Sequence, residues 1–232
     1  EYIHDHVDEV QTDVLGNTFG LIRGLGKGKP TLMIAGHCDE IGFMVQYIDE
    51  SGFLYFAPIG GVDEQLLPGK RVWVHTQKGP RMGVVGRKPI HLIDPKDREK
   101  AVKVHEQFID IGAKNQKEAK KSVNIGDPIT FVGGLEKLLG DRVVSRGFDD
   151  KVGSFVVAEV LRRIGEKRKR PRCTVYGVST VQEELGLRGA TTSAYQIQPE
   201  VGIAVEVGHA SDYPEVDKKM VGEHKLGAGP IV

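Results

Sequence analysis

Three apolar runs set the limits on what this chain can fold into. Thr31 to Ala35, Cys173 to Val181 and Val201 to Val207 are continuous apolar stretches of the kind that fill the interior of a parallel sheet, the last interrupted only by Glu206. Helical patterns lie between them. Val152, Phe155, Val156, Val160, Leu161 and Ile164 have helical spacing ahead of the second run, and Leu187 to Ile197 separates the second from the third. The alternation predicts an α/β domain with a mainly parallel sheet flanked by helices. In such sheets ligands gather outside the carboxyl ends of the strands.

Chemistry-bearing residues stand at those ends. The first run stops on Gly36-His37-Cys38-Asp39-Glu40, where extended chain puts His37 and Asp39 on one face, an imidazole to bind metal and a carboxylate to steer it. Cys38 points the other way and reads as a small buried residue. The second run stops on Glu183 and Glu184, followed by Gly186. Adjacent side chains point different ways, so one carboxylate can face a cation while the other carries a proton, a division between metal ligand and general base. Asp149-Asp150 opens the helix before that run, which permits one cap and one ligand. Taken singly, a Glu-Glu pair fits a solvated acidic loop and a His-x-Asp a structural role. Converging on one edge, the imidazole and the carboxylates would repel without cations, and two divalent ions make the cluster favourable, with Asp149 able to bridge them.

Residues 43 to 141 have a different texture. Phe43 to Ile48 and Phe53 to Ala57 flank Asp49-Glu-Ser-Gly52 as one hairpin, and Arg71 to Thr76 and Gly83 to Gly86 flank Gln77-Lys-Gly-Pro80 as another. A strand end at Ile109 to Gly112, a short helix within Lys114 to Ser122 and a strand at Ile129 to Val132 complete a small β-barrel-like domain, inserted between parts 1–42 and 142–232 of the α/β domain. Residues 1 to 12 have mixed helical character, on which His4 and His6 face different directions and read as a solvated face. Asp13 to Asn17 is a turn leading into a short strand, Thr18 to Ile22. The charge run Lys167 to Arg172 reads as an exposed loop.

Thirty-two basic and thirty-two acidic residues cancel, which points away from nucleic acid and anionic membranes. No apolar run approaches the ~18 residues of a membrane span. Two cysteines, Cys38 and Cys173, with no signal-like start, suggest a reducing cytoplasm. The chain opens on Glu1 rather than Met, and Gly227 to Val232 reads as the start of a strand, as if the sequence were a fragment.

Four blocks, Ile34-Ala-Gly-His-Cys-Asp-Glu-Ile-Gly-Phe-Met-Val45, Arg146-Gly-Phe-Asp-Asp-Lys-Val-Gly153, Val181-Gln-Glu-Glu-Leu-Gly-Leu-Arg-Gly-Ala190 and Ile203-Ala-Val-Glu-Val-Gly208, resemble the successive site blocks of the tetrahedral (TET) aminopeptidases. These two-metal exopeptidases include glutamyl aminopeptidases and proteins once labelled endoglucanases. The resemblance implies His37 as a metal ligand, Asp39 as its orienting partner, Asp149 as the bridging carboxylate and Glu184 as a ligand of the second metal. It implies Glu183 as general base, and Glu206 in a ligand position that the family often fills with Asp. It further implies a distant downstream His as a second-metal ligand, beyond this chain, since His209 and His224 come too early. Zinc or cobalt would be the ions, short peptides the substrates, and the inserted β domain would make dimer contacts toward a homo-oligomer, a twelve-subunit tetrahedral shell. Two other readings exist. One is an assembly subunit or fragment lacking the second metal site. The other is a glycosidase, which also uses paired acids but needs aromatic platforms, and Trp73 is the chain's only tryptophan.

Overall fold

The computed structural model describes residues 1–25, 30–167 and 169–231. In chain order the strands are β1 (Glu9–Thr12), β2 (Thr18–Ile22), β3 (Thr31–His37), β4 (Gly42–Ile48), β5 (Leu54–Ile59), β6 (Arg71–Thr76), β7 (Gly79–Arg87), β8 (Gln107–Asp110), β9 (Pro128–Phe131), β10 (Glu136–Lys137), β11 (Val143–Val144), β12 (Thr174–Thr180) and β13 (Val201–Ala204). The helices are α1 (Gln116–Ala119), α2 (Phe148–Gly165), α3 (Arg188–Ile197) and α4 (Lys218–Val221). Two compact units result, one of Glu1–Cys38, Phe148–Val181 and Gly189–Val232, the other of Asp39–Gly147 and Gln182–Arg188.

The first unit is built on a sheet of order β1-β2-β12-β3-β13. β12, β3 and β13 run parallel, as their apolar runs predict, whereas β2 pairs antiparallel with β12 and β1 antiparallel with β2. The sheet is therefore mixed rather than mainly parallel. The difference arises at residues 1 to 12, where the helical expectation fails: only His4–His6 form a single 3-10 turn, and Glu9–Thr12 pair with Thr18–Leu21 as a hairpin around the Asp13–Asn17 turn. His4 turns its Nδ1 to Asp5, 3.1 Å away, and both are exposed. Arg170 of the basic run pairs with Asp8, while Arg168 lies outside the described residues.

Helices cover both faces of this sheet. On one side Val157 and Leu161 of α2 pack with Ile22, Ile34 and Val175, and on the other Ile197 of α3 packs with Phe19, Met33 and Val178. Alternation along the strands sorts these two sets. α2 approaches the sheet where side chains are missing: a Cβ on either Gly20 or Gly177, which face each other across β2 and β12, would meet the Leu161 side chain at 2.6 and 2.5 Å. A Cβ on Gly36 would lie 2.6 Å from the backbone of Gly153, so the end of β3 touches the first turn of α2 directly. That close approach brings the two site segments together. β13, by contrast, is exposed along its length, so the third apolar run is an edge strand and not a buried one.

In the second unit β4-β5-β8-β7-β6-β9 close into a barrel. Leu54 and Phe56 of β5 and Val72 and Val74 of β6 alternate inward, joined by Phe43, Val45, Ile48, Val85, Ile109 and Ile129. Phe43 stacks edge-on with Phe56 at 4.9 Å and with Phe131 at 5.5 Å, so aromatic packing closes the barrel where β4 meets β9. A bulge between Val45 and Tyr47 bends β4 to make that closure. Among the described residues no helix is long and apolar enough to cross a membrane.

Candidate metal centre

His37 is the last residue of β3, at the carboxyl edge of the parallel strands. Its side chain is 2 % exposed, and its Nε2 lies 3.0 Å from Asp149 Oδ1 and 3.4 Å from Glu206 Oε2. The backbone that carries it is tied in place, because the His37 amide donates to Asp150 Oδ2 at 3.2 Å. Asp150 is fully buried, and its other oxygen accepts the Gly153 amide at 2.8 Å. It thus caps the regular part of α2, since Asp149 and Asp150 themselves have non-helical dihedral angles and are joined by a cis peptide. The tandem acids divide their work accordingly: Asp150 holds backbone, while Asp149 presents its carboxylate to the imidazole.

Glu206 follows the exposed edge strand β13 by two residues and is exposed, where the sequence suggested a charge inside a buried strand. Ligand-capable atoms of His37, Asp150 and Glu206 lie within 4.8 Å of one another. Burial raises the Asp150 carboxyl above the ordinary carboxylate range, against the pull of the Gly153 and His37 amides. Burial likewise raises Glu206, with the Asp150 and Asp149 charges adding to it. Three carboxylates around one imidazole, two of them pushed toward the neutral form, are a donor set that a divalent cation would relieve.

In the second unit Asp39 receives two adjacent amides, that of Glu183 on Oδ1 at 3.1 Å and that of Glu184 on Oδ2 at 3.2 Å. One carboxylate thus fixes the backbone of both glutamates. The segment is further closed by the Gly186 and Leu187 amides on the Glu183 carbonyl, at 2.8 and 2.9 Å. Gln182 and Leu187, with φ of 55° and 58°, take the left-handed conformation that costs a non-glycine residue roughly 1 kcal/mol or more. Glu184 rests against Gly60, where a Cβ would meet its Oε2 at 2.9 Å. Arg146 pairs with Glu40 at 2.8 Å.

The first unit therefore groups His37, Asp149 and Glu206, and the second ties Glu183 and Glu184 to Asp39. Cys38 differs from expectation. It is exposed, with Sγ donating to the Thr180 carbonyl at 3.2 Å. Two residues escaped the sequence reading. Asp150 was visible only as half of an acidic pair, and Asn17 only as the end of a turn, although an Asp-x-x-Gly-Asn turn is a signal for side-chain to backbone bonding.

A family model described as M42 glutamyl aminopeptidase matches residues 16–232. The chain belongs to the M42 glutamyl aminopeptidase family. This M42 chain is 36% identical over 234 residues to the lysyl aminopeptidase of Pyrococcus furiosus, covering 100% of this chain and 65% of that protein. It superposes with a TM-score of 0.91 and 38% identity on a TET aminopeptidase from a marine-sediment Thaumarchaeota archaeon, covering 98% of this chain and 63% of the other. With the TET1 peptidase of Pyrococcus horikoshii, described as able to assemble into a tetrahedron or a large octahedral shell, the TM-score is 0.77 and the identity 32%, over 88% of this chain and 61% of the other. The M42 chain thus spans under two thirds of the length of these relatives.

Proposed function

We propose that this chain works in a metal-dependent aminopeptidase that removes N-terminal residues from short peptides. The observation that carries the reading is the buried imidazole of His37 facing the carboxylates of Asp149 and Glu206. In this reading His37, Asp149, Glu184 and Glu206 would hold the ions, zinc or cobalt, with Asp149 as the carboxylate they would share. Bound there, two divalent ions would supply Lewis acidity, lowering the pKa of water and polarising the peptide carbonyl. Glu183 takes a proton from the attacking water and delivers it to the leaving amine. Asp39 steadies that exchange, because its carboxylate holds the backbone amides of both Glu183 and Glu184. Its orienting action on His37 belongs to the same reading. A free substrate α-amine, anchored by the acidic cluster, makes the enzyme an exopeptidase.

The barrel unit would supply dimer contacts on the way to a tetrahedral homo-dodecamer, a reading that the assembly described for the P. horikoshii TET1 peptidase supports. Two free cysteines suit a reducing cytoplasm. A sugar substrate has little support, since Trp73 stands in the wall of the barrel. The test is metal content. After chelator treatment and re-equilibration with zinc or cobalt, elemental analysis should find about two ions retained per chain. Retention of one would favour a fragment lacking the second metal site, and retention of none the non-catalytic assembly subunit.

A further inference from the structure

Asn17 is completely buried, far along the chain from the glutamates, and every polar atom of its side chain is engaged. Its Nδ2 donates to Asp13 Oδ2 at 2.7 Å and to Thr192 Oγ1 at 3.1 Å, and its Oδ1 accepts the Val181 amide at 3.0 Å. Asp13 anchors this arrangement, since its Oδ1 accepts the amides of Leu15, Gly16 and Asn17 at 2.9, 2.8 and 2.9 Å. Against burial, which acts to raise it, the Asn17 side chain and those amides together hold the Asp13 carboxyl below its usual range.

Val181 and Gly189 are the two residues that flank the Gln182–Arg188 segment, and they are bonded to each other: the Gly189 amide donates to the Val181 carbonyl at 3.0 Å. Both lie against Asn17. A Cβ at position 189 would fall 2.3 Å from the Val181 carbonyl oxygen and 2.4 Å from Asn17 Oδ1, so only glycine permits this approach. Thr192 closes the ring, receiving the Asn17 amide while its hydroxyl donates to the Gly189 carbonyl at 3.1 Å. The Arg188 amide on the Gln182 carbonyl, at 3.2 Å, adds the next rung inside the segment.

We propose that Asn17 is a positioning residue that clamps Val181 and Gly189 together, where the chain leaves for and returns from the Gln182–Arg188 segment, and so restrains the backbone that carries Glu183 and Glu184. Its catalytic consequence rests on the aminopeptidase reading; the clamp itself does not. The side chain must be Asn. Asp would confront the Asp13 carboxylate without a donor, and Ala would leave the half-buried Val181 amide without this acceptor.

Hydrogen exchange by mass spectrometry on the whole chain tests the clamp, comparing wild type with Asn17→Ala, with Thr192→Val, which removes one anchor but leaves Oδ1 on Val181, and with Val157→Ala, a destabilising change in the α2 core. In Asn17→Ala, amides 181–189 should exchange about tenfold or more faster, and in Thr192→Val about threefold faster, while Val157→Ala leaves that segment's protection at the wild-type level relative to the sheet. If Asn17→Ala does not fold, Thr192→Val decides alone. Unchanged exchange at 181–189, or an increase spread evenly over the sheet as in Val157→Ala, overturns the proposal. Where the wild-type protein cleaves peptides, Asn17→Ala should lower kcat at least tenfold with KM within about twofold. An inactive wild type counts against the peptidase reading, and the exchange result still decides the clamp.

Discussion

Glu183→Gln should lower kcat by about 10²–10⁴-fold while leaving bound metal unchanged. The substitution keeps the size of the side chain and leaves its backbone where it is, because the Glu183 amide is held by Asp39 and its carbonyl by Gly186 and Leu187. What disappears is the ability to accept a proton from water and return it to the departing amine. A loss confined to kcat, with KM and metal content near wild type, is the mark of a group that acts in the transition state. Steady-state kinetics alongside elemental analysis read both quantities. Turnover near the wild-type rate would remove Glu183 from the role of base.

His37→Ala should lose stoichiometric metal and reduce kcat/KM by about a thousandfold or more. The imidazole is the nitrogen donor among the carboxylates of Asp149, Asp150 and Glu206, and it is buried beside them. Removing it takes away a ligand and the ring that both Asp149 and Glu206 face. The fold should survive, because the main-chain amide at this position still donates to Asp150 and β3 keeps its pairing with β12. Isothermal titration with zinc, beside a thermal melt, separates metal loss from unfolding. A variant that retains metal at wild-type affinity would contradict the assignment of His37.

Much of this arrangement was legible because two periodicities dominate the sequence. The aliphatic runs of β3 and β12 announce strands covered on both faces, the spacing of Val160, Leu161 and Ile164 announces a helix facing them, although Val152, Phe155 and Val156 of the same pattern are exposed and Val157, outside it, is buried, and His37 is the first polar residue after one of those runs. What stayed hidden depends on partners distant in the chain. Glu9–Thr12 carry no alternation strong enough to mark a strand, and are one because β2 lies beside them. β13 has the composition of a buried strand yet is exposed, since composition does not reveal what covers an edge. Cys38 is exposed because the chain leaves β3 at His37, whereas the sequence suggested that extended geometry continues and buries it. Asp150 and Asn17 illustrate a third limit. Each acts by accepting a backbone amide from a residue far away, His37 or Val181, and no spacing rule reports such a bond.

The central claim is that this chain serves a metal-dependent aminopeptidase, and one comparison tests it most directly. A single short peptide is offered in two forms, with a free N-terminus and N-acetylated, in zinc or cobalt and again with EDTA. The account predicts release of the first residue from the free form alone, and its loss with EDTA. Cleavage of the acetylated form at a similar rate, or cleavage that persists with EDTA, would contradict it.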